Sequence, residues 1–262
     1  RPIILTLDGK AGYCIAIDIG ARRLGLILTD LNNEIISRQS IPVEKQAFSH
    51  VYQQIYIAID RMIREIPPCP YGLIGISLAV RGIIDLDGVI RFIPKLQWHN
   101  IDIKSLLEQR YHVPVYIDND GNLAASMESR LHSQYEELTV LCLTDVISCG
   151  MISNGRLIRG YLGFANAVGH HTINIQETKQ CSCGKYGCWE QYCSDQYLLD
   201  EANLHLETPL EDIDGFIELV RKQNPLALGI LDTYIKNLAI GLSNIIFFVN
   251  CEMIILNSHL IQ

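Results

Sequence analysis

Three thiols crowd into the segment Cys181-Ser182-Cys183-Gly184-Lys185-Tyr186-Gly187-Cys188, and Gly169-His170 lies a short way upstream. Three thiolates and one imidazole make a closed tetrahedral set for zinc, and the two glycines permit the tight knuckle that gathers sulfurs around one ion. Such a set is structural, because it leaves no open position for a substrate. A reduced, metal-free turn with a hydrogen-bonded histidine is the plainer alternative, and His171 competes with His170 for the fourth place. Cys193 is expected to pack on the helix that follows. A second polar cluster, Asp118-Asn119-Asp120-Gly121-Asn122, stands between an apolar run and a helical stretch, where its carboxylates and amides suit a helix N-cap.

Periodicity supplies the elements that must hold these groups. Short β-rich runs at 13–19 and 24–29, with a third after Asn32-Asn33, read as a meander. Phe48, Val51, Ile55, Ile59, Met62 and Ile63 recur at helical spacing within 44–66, and the Pro67-Pro68-Cys69-Pro70 segment stops that helix. A strand at 73–78, a helix at 104–110 and a strand at 113–117 continue the alternation of an α/β domain. After a helix at 123–132 the pattern begins again, with strands at 138–143 and 149–153, an Asn154-Gly155 hairpin turn and a strand at 156–158. Two hairpin-led halves point to an internal structural repeat, with lobes at 1–118 and 119–262. Asn224-Pro225 opens a long helix through Val249, apolar on almost every face and so expected to be buried across the middle of the molecule, before a last strand at 252–256.

Composition removes several classes. The 262 residues are 48% apolar and 19% charged, against roughly 25% charged in an average soluble domain. A formal charge of -8, from 29 acidic and 21 basic side chains, provides no footprint for a phosphate backbone. Neither a signal peptide nor an unbroken bilayer-spanning run is apparent, so a cytoplasmic protein without a membrane partner is expected. The opening at Arg1 and the apolar run near the end read as those of a fragment. Of nine cysteines, the single ones at 14, 69, 142, 149 and 251 read as small buried hydrophobes. Trp98 and His99 could line a cleft mouth but read more simply as packing, and the Glu136-Glu137 and Glu211-Asp212 pairs as solvated surface.

Gly-His followed by Cys-x-Cys-Gly-x-x-Gly-Cys-x-Glu, ending here at Glu190, resembles the signature of the ROK family, named for repressors, open reading frames and sugar kinases. Asp18-Ile19-Gly20 is similar to that family's first phosphate loop, Asp118 to Asn122 to its catalytic segment, and Arg159-Gly160 with Gly163 and Gly169-His170 to its sugar loop. The resemblance implies an actin-like, ribonuclease-H-like pair of α/β lobes with a cleft between them. It also implies that Asp120 is the general base of the kinases and that Gly82, Asn119, Asp120, His170 and Glu190 contact sugar. By the same resemblance Asp18 stands near metal and phosphates, with Gly20 and Gly150 as phosphate-loop remnants. Arg81 replaces a usual proline, which leaves its role open.

The departures narrow the function. Ala167 stands where the kinases carry an acidic sugar ligand, and 144–150 reads Thr-Asp-Val-Ile-Ser-Cys-Gly where they carry a glycine-rich phosphate loop. A carboxylate at Asp145 repels a nucleotide triphosphate. Arg22-Arg23 stand in the first loop, and Leu256-Asn257-Ser258 replaces a glycine-rich adenosine loop. This is the pattern of the family's repressors, and Arg1 to Leu7 with Gly12-Tyr13 resembles the segment joining their winged helix to the sugar-sensing body. The expectation is a zinc-bearing, sugar- or sugar-phosphate-sensing domain of a repressor. It would be a homodimer or tetramer and would bind operator DNA through an upstream winged helix. An ATP-dependent sugar kinase and a module that has lost its ligand are the alternatives.

Overall fold

Tyr13, Ile15, Ile17 and Ile19 turn inward from strand β1 (Tyr13–Ile19) while Cys14, Ala16 and Asp18 are only partly covered, the period-2 burial of a pleated strand. The computed structural model describes residues 6–44 and 46–261, so the sequence expectation at Arg1 to Leu5 lies outside the described residues. The chain divides into two units, one ending at Asn119 and the other starting at Asp120.

In the first unit, β1 pairs antiparallel with β2 (Arg23–Asp30), which pairs with β3 (Ile35–Pro42). On its other side β1 runs parallel to β4 (Leu73–Val80), and β4 parallel to β8 (Val115–Asn119), giving the order β3-β2-β1-β4-β8. Helix α1 (Phe48–Glu65) presses Val51, Ile55, Ala58, Ile59 and Met62 into the core with these strands. It starts later than its periodicity suggests and stops at Ile66, which is extended ahead of Pro67. Helix α2 (Ile103–Tyr111) is capped by Asp102, whose carboxylate accepts from the Ser105 amide at 3.0 Å.

Between β4 and α2 the chain forms a small sheet that periodicity did not reveal, β5 (Ile83–Ile84), β6 (Ile90–Ile93) and β7 (Trp98–Ile101). Strands of two to four residues are too short to show an alternation. Trp98 is a core residue here, its indole N–H donating to the Gln46 carbonyl at 2.7 Å, and His99 stacks on Phe92.

The second unit repeats the strand logic. β9 (Leu138–Leu143) lies between antiparallel β10 (Ile147–Ser153) and parallel β12 (Met253–Ser258), with β11 (Arg156–Leu157) outside β10. Asn154 and Gly155 both have positive φ, as a two-residue hairpin turn requires. All of β9 is buried, Val140 and Cys142 on one face and Leu141 and Leu143 on the other, which explains its unbroken apolar run. Helix α3 (Asp120–Leu131) packs on β10 through glycines: a Cβ at Gly150 would collide with the Gly121 carbonyl. Helices α4 (Asp195–Asn203), α5 (Ile213–Arg221) and α6 (Pro225–Val249) complete the unit. Glu136, Glu211 and Asp212 are exposed, as expected of solvated surface, although Asp212 also caps α5; Glu137 is half-buried and accepts from the Ser153 hydroxyl and Asn154 amide.

Helix α6 corrects the sequence reading. Asn224 caps it as expected, accepting from the Leu226 and Ala227 amides, but only Ala227, Tyr234, Gly241 and Ile245 are buried. Ile246 is 49%, Phe247 88% and Phe248 91% exposed, so this is a surface helix with an apolar outer face. Periodicity reports what a helix could bury, not how much of the fold is there to cover it. By length and composition alone α6 could also cross a bilayer, although Asp232 and Lys236 interrupt its apolar run. Its inner face, however, is part of this unit: Trp189 fits over Gly241 and donates to the Asn237 carbonyl.

Candidate functional site

In the first unit the expected site residues gather where parallel strands end. The register sets Asp18 beside Ala79, and Val80 beside Asn119, so the C-terminal ends of β1, β4 and β8 share an edge. Gly20 closes the turn after β1, its amide donating to the Arg23 carbonyl at 3.0 Å. Arg81, just past β4, grips Asp18 with both terminal nitrogens, at 2.9 and 3.1 Å. Gly82 admits no side chain, since a Cβ would lie 2.5 Å from the Phe92 carbonyl, and its own carbonyl accepts from the Asn119 side-chain Nδ2 at 3.0 Å.

Asp120 opens α3 in the second unit, where a carboxylate suits the helix N-terminus. Its Oδ2 accepts from the Ser148 hydroxyl at 2.8 Å. Sequence reasoning missed Ser148, although β-strand alternation from the glycine at 150 put both on the face toward α3. Gly150 lies within β10 rather than in a loop, and helix packing against Gly121 is reason enough for a glycine there. Asp145 accepts from its neighbour Thr144, and Ser258 at the end of β12 belongs to a regular strand, not a loop. A pair that the sequence did not suggest joins His259 to the buried Asp195, Nδ1 to Oδ2 at 2.8 Å.

The knuckle is the most fully built feature. His170 ends a short 3-10 turn (Val168–His170), and Glu190 sits in another (Trp189–Gln191) directly after Cys188. Gly184 and Gly187 have φ of 90° and 68°, and a Cβ at Gly187 would strike the Asn174 carbonyl, so the chain can turn here only through glycine. Ligand atoms of His170, Cys181, Cys183 and Cys188 all lie within 4.8 Å of one another, a group without His171. Cys183 and Cys188 sulfurs are 3.7 Å apart, as are the Cys181 sulfur and His170 Nδ1. Metal–sulfur bonds of about 2.3 Å in a tetrahedron require sulfur–sulfur edges of about 3.8 Å, so the four groups fit one ion with little movement. Burial pushes the Cys181 thiol up and the Cys188 thiol to about 11, so a metal must displace their protons. Glu190, 6% exposed, accepts from the Cys181 thiol at 3.2 Å and lies 3.7 Å from His170 Nδ1. Lys185 donates to the His170 carbonyl and ties the knuckle to that turn. Cys193 is buried against α6, donating to the Tyr234 carbonyl at 3.6 Å.

The model of the ROK family matches residues 14–262. The chain belongs to the ROK family. Among its ROK relatives, a xylose repressor from Bacillus subtilis (strain 168) is 34% identical over 264 aligned positions, which cover 100% of this chain and 68% of that one. The ROK family glucokinase from Streptomyces griseus, solved with glucose and AMPPNP, has a TM-score of 0.81 at 23% identity, covering 94% of this chain and 83% of its own. A ROK family transcriptional regulator, a homologue of the E. coli Mlc protein, has a TM-score of 0.76 at 19% identity over 95% of this chain and 66% of its own. At these identities the two structures establish the shared actin-like α/β fold, that of the ROK sugar kinases.

Proposed function

We propose that the chain is the effector-binding and oligomerisation part of a ROK-type cytoplasmic repressor of carbohydrate use, with xylose or a closely similar sugar as effector. The observation that carries this reading is the xylose repressor's similarity along the entire chain. The side chains agree with a sensor that performs no phosphoryl transfer. Asp120 is engaged by Ser148, Ala167 offers no acid, and Asp145 puts a negative charge in the segment where the kinases cradle phosphate.

Sugar hydroxyls are both donors and acceptors, and Gly82, Asn119, Asp120, His170 and Glu190 supply the matching groups. With Nδ1 of His170 turned to the thiols, its Nε2 is left for a hydroxyl. Zinc would be held by His170, Cys181, Cys183 and Cys188, and it would fix the loop that carries His170 and Glu190. An effector that binds one of two conformations better shifts the protein toward it, and operator affinity, exerted through an upstream winged helix in a homodimer or tetramer, changes with that shift.

The test is operator binding by the full-length protein, read by fluorescence anisotropy with and without xylose. Xylose should weaken binding at least about tenfold, and Asp120→Asn should erase that response while leaving sugar-free binding intact. Operator affinity that ignores every pentose and hexose would sink the proposal. An active sugar kinase is the second reading, favoured by Asp120 at the start of α3. It requires sugar-dependent release of ADP, and silence in that assay ends it.

A further inference from the structure

The first phosphate loop is filled from within. Arg81 Nη1 donates to Asp18 Oδ1 and Nη2 to Oδ2, a parallel two-point fork that matches guanidinium to carboxylate. The Arg81 side chain is 16% exposed and that of Asp18 48%. The same guanidinium lies over the turn: a Cβ at Gly20 would come within 3.2 Å of Nη1. A glycine in a phosphate loop leaves room for the backbone to approach an anion. Here that room is shared by the Arg23 carbonyl, 2.8 Å from where a Cβ would stand, and the Arg81 guanidinium. The placement is dictated by the backbone, because parallel pairing sets Ile19 beside Val80 and carries Arg81, the residue after β4, to the Gly20 turn.

We propose that Arg81 is a built-in counter-ion that occupies, at Asp18 and Gly20, the place of a nucleotide-borne divalent cation and its phosphate, closing the loop to nucleotide. The inference rests on the repressor reading, in which sugar alone is the effector, and specifies how this chain excludes the other ligand of its fold. A cation reaching Asp18 must first break the part-buried fork between Arg81 and Asp18. The fork also commits the charge and two of the five N–H donors by which Arg81 could hold phosphate itself.

Mn2+ with ADP is the probe, and the electron paramagnetic resonance signal of free Mn2+ is the readout, on the intact chain. The wild type should leave Mn2+–ADP free. Arg81→Ala should bind it at least about tenfold more tightly, and adding Asp18→Asn should abolish the gain, which separates this site from uptake at the knuckle. Arg81→Gln, whose shorter, uncharged side chain cannot form the two-point fork, should show a gain in the same direction and serves if truncation to alanine unfolds the protein. Wild-type binding as tight as that of the variants, or no gain in a variant that melts with the wild type, overturns the proposal. Failure of the repressor reading is seen separately, as the lack of any sugar-dependent change in the wild type without nucleotide.

Discussion

Cys188 has no solvent exposure, stands 3.7 Å from Cys183 and directly precedes the turn that holds Glu190. Metal binding there is folding free energy for the whole loop. Cys188→Ser should therefore abolish stoichiometric zinc, measured by elemental analysis of the dialysed protein, and lower stability by at least about 2 kcal/mol. A variant that loses zinc but melts unchanged would make the ion incidental. Asp195 offers a test in pH. Its burial raises the carboxyl above the ordinary range, with the His259 contact opposing and Asp145 adding to the rise. A group whose pKa is higher in the fold than in the unfolded chain stabilises the fold in its protonated form. That contribution is complete below the ordinary carboxylate pKa and is lost as pH rises through the raised value. Asp195→Asn should flatten this part of the stability profile, so the wild type should gain on the variant as pH falls across the weakly acidic range. Parallel profiles from chemical denaturation would refute the assignment. At this scale the sequence was legible where one motif holds all the partners, as in the knuckle. It was silent on Arg81 with Asp18, 63 residues apart, and on Asp195 with His259, 64 apart, because contacts across the chain leave no local pattern.

Helix α6 carries two glycines with opposite surroundings. At Gly241 a Cβ would penetrate the Trp189 indole, which cannot withdraw because it is fully buried and bonded to the Asn237 carbonyl. At Gly229 a Cβ would meet nothing within 4 Å. Alanine should therefore stabilise at Gly229 by about 0.5–1 kcal/mol, the ordinary helix preference. The same change at Gly241 should destabilise by about 1–3 kcal/mol through overpacking, despite an identical gain in propensity. Urea titrations of the two variants provide the comparison, and equal signs would mean that Trp189 does not pack there. Elements were legible in proportion to their length. α1 and α6 were found from spacing and capping, whereas β5, β6 and β7 escaped notice. Burial of α6 was misjudged because hydropathy describes the helix alone.

The two units share one arrangement, a strand flanked by an antiparallel hairpin partner and a parallel neighbour, and that repeat was visible in the order of hairpins along the sequence. What the sequence could not carry at this scale is ligand identity, which depends on where each polar group is aimed. A buried acid such as Glu190 makes that dependence steep. On the sugar-sensing reading, a sugar that presents a hydroxyl to it adds a hydrogen bond beside the one accepted from the Cys181 thiol, while an epimer that does not forgoes that bond at a cost of about 1.5–3 kcal/mol. Native-state binding also raises stability by mass action, about 2.7 kcal/mol at a hundredfold excess over Kd. For a chain of this size that corresponds to a rise in Tm of roughly 5–10 °C. Melting curves with xylose and its epimers, at equal concentration and without nucleotide, should thus separate by several degrees, with xylose or its nearest analogue highest. Glu190→Gln should compress the series, because an amide can donate where the carboxylate only accepted, and the penalty for a misplaced hydroxyl falls. A flat series across all sugars would mean that this ROK chain senses no sugar at all.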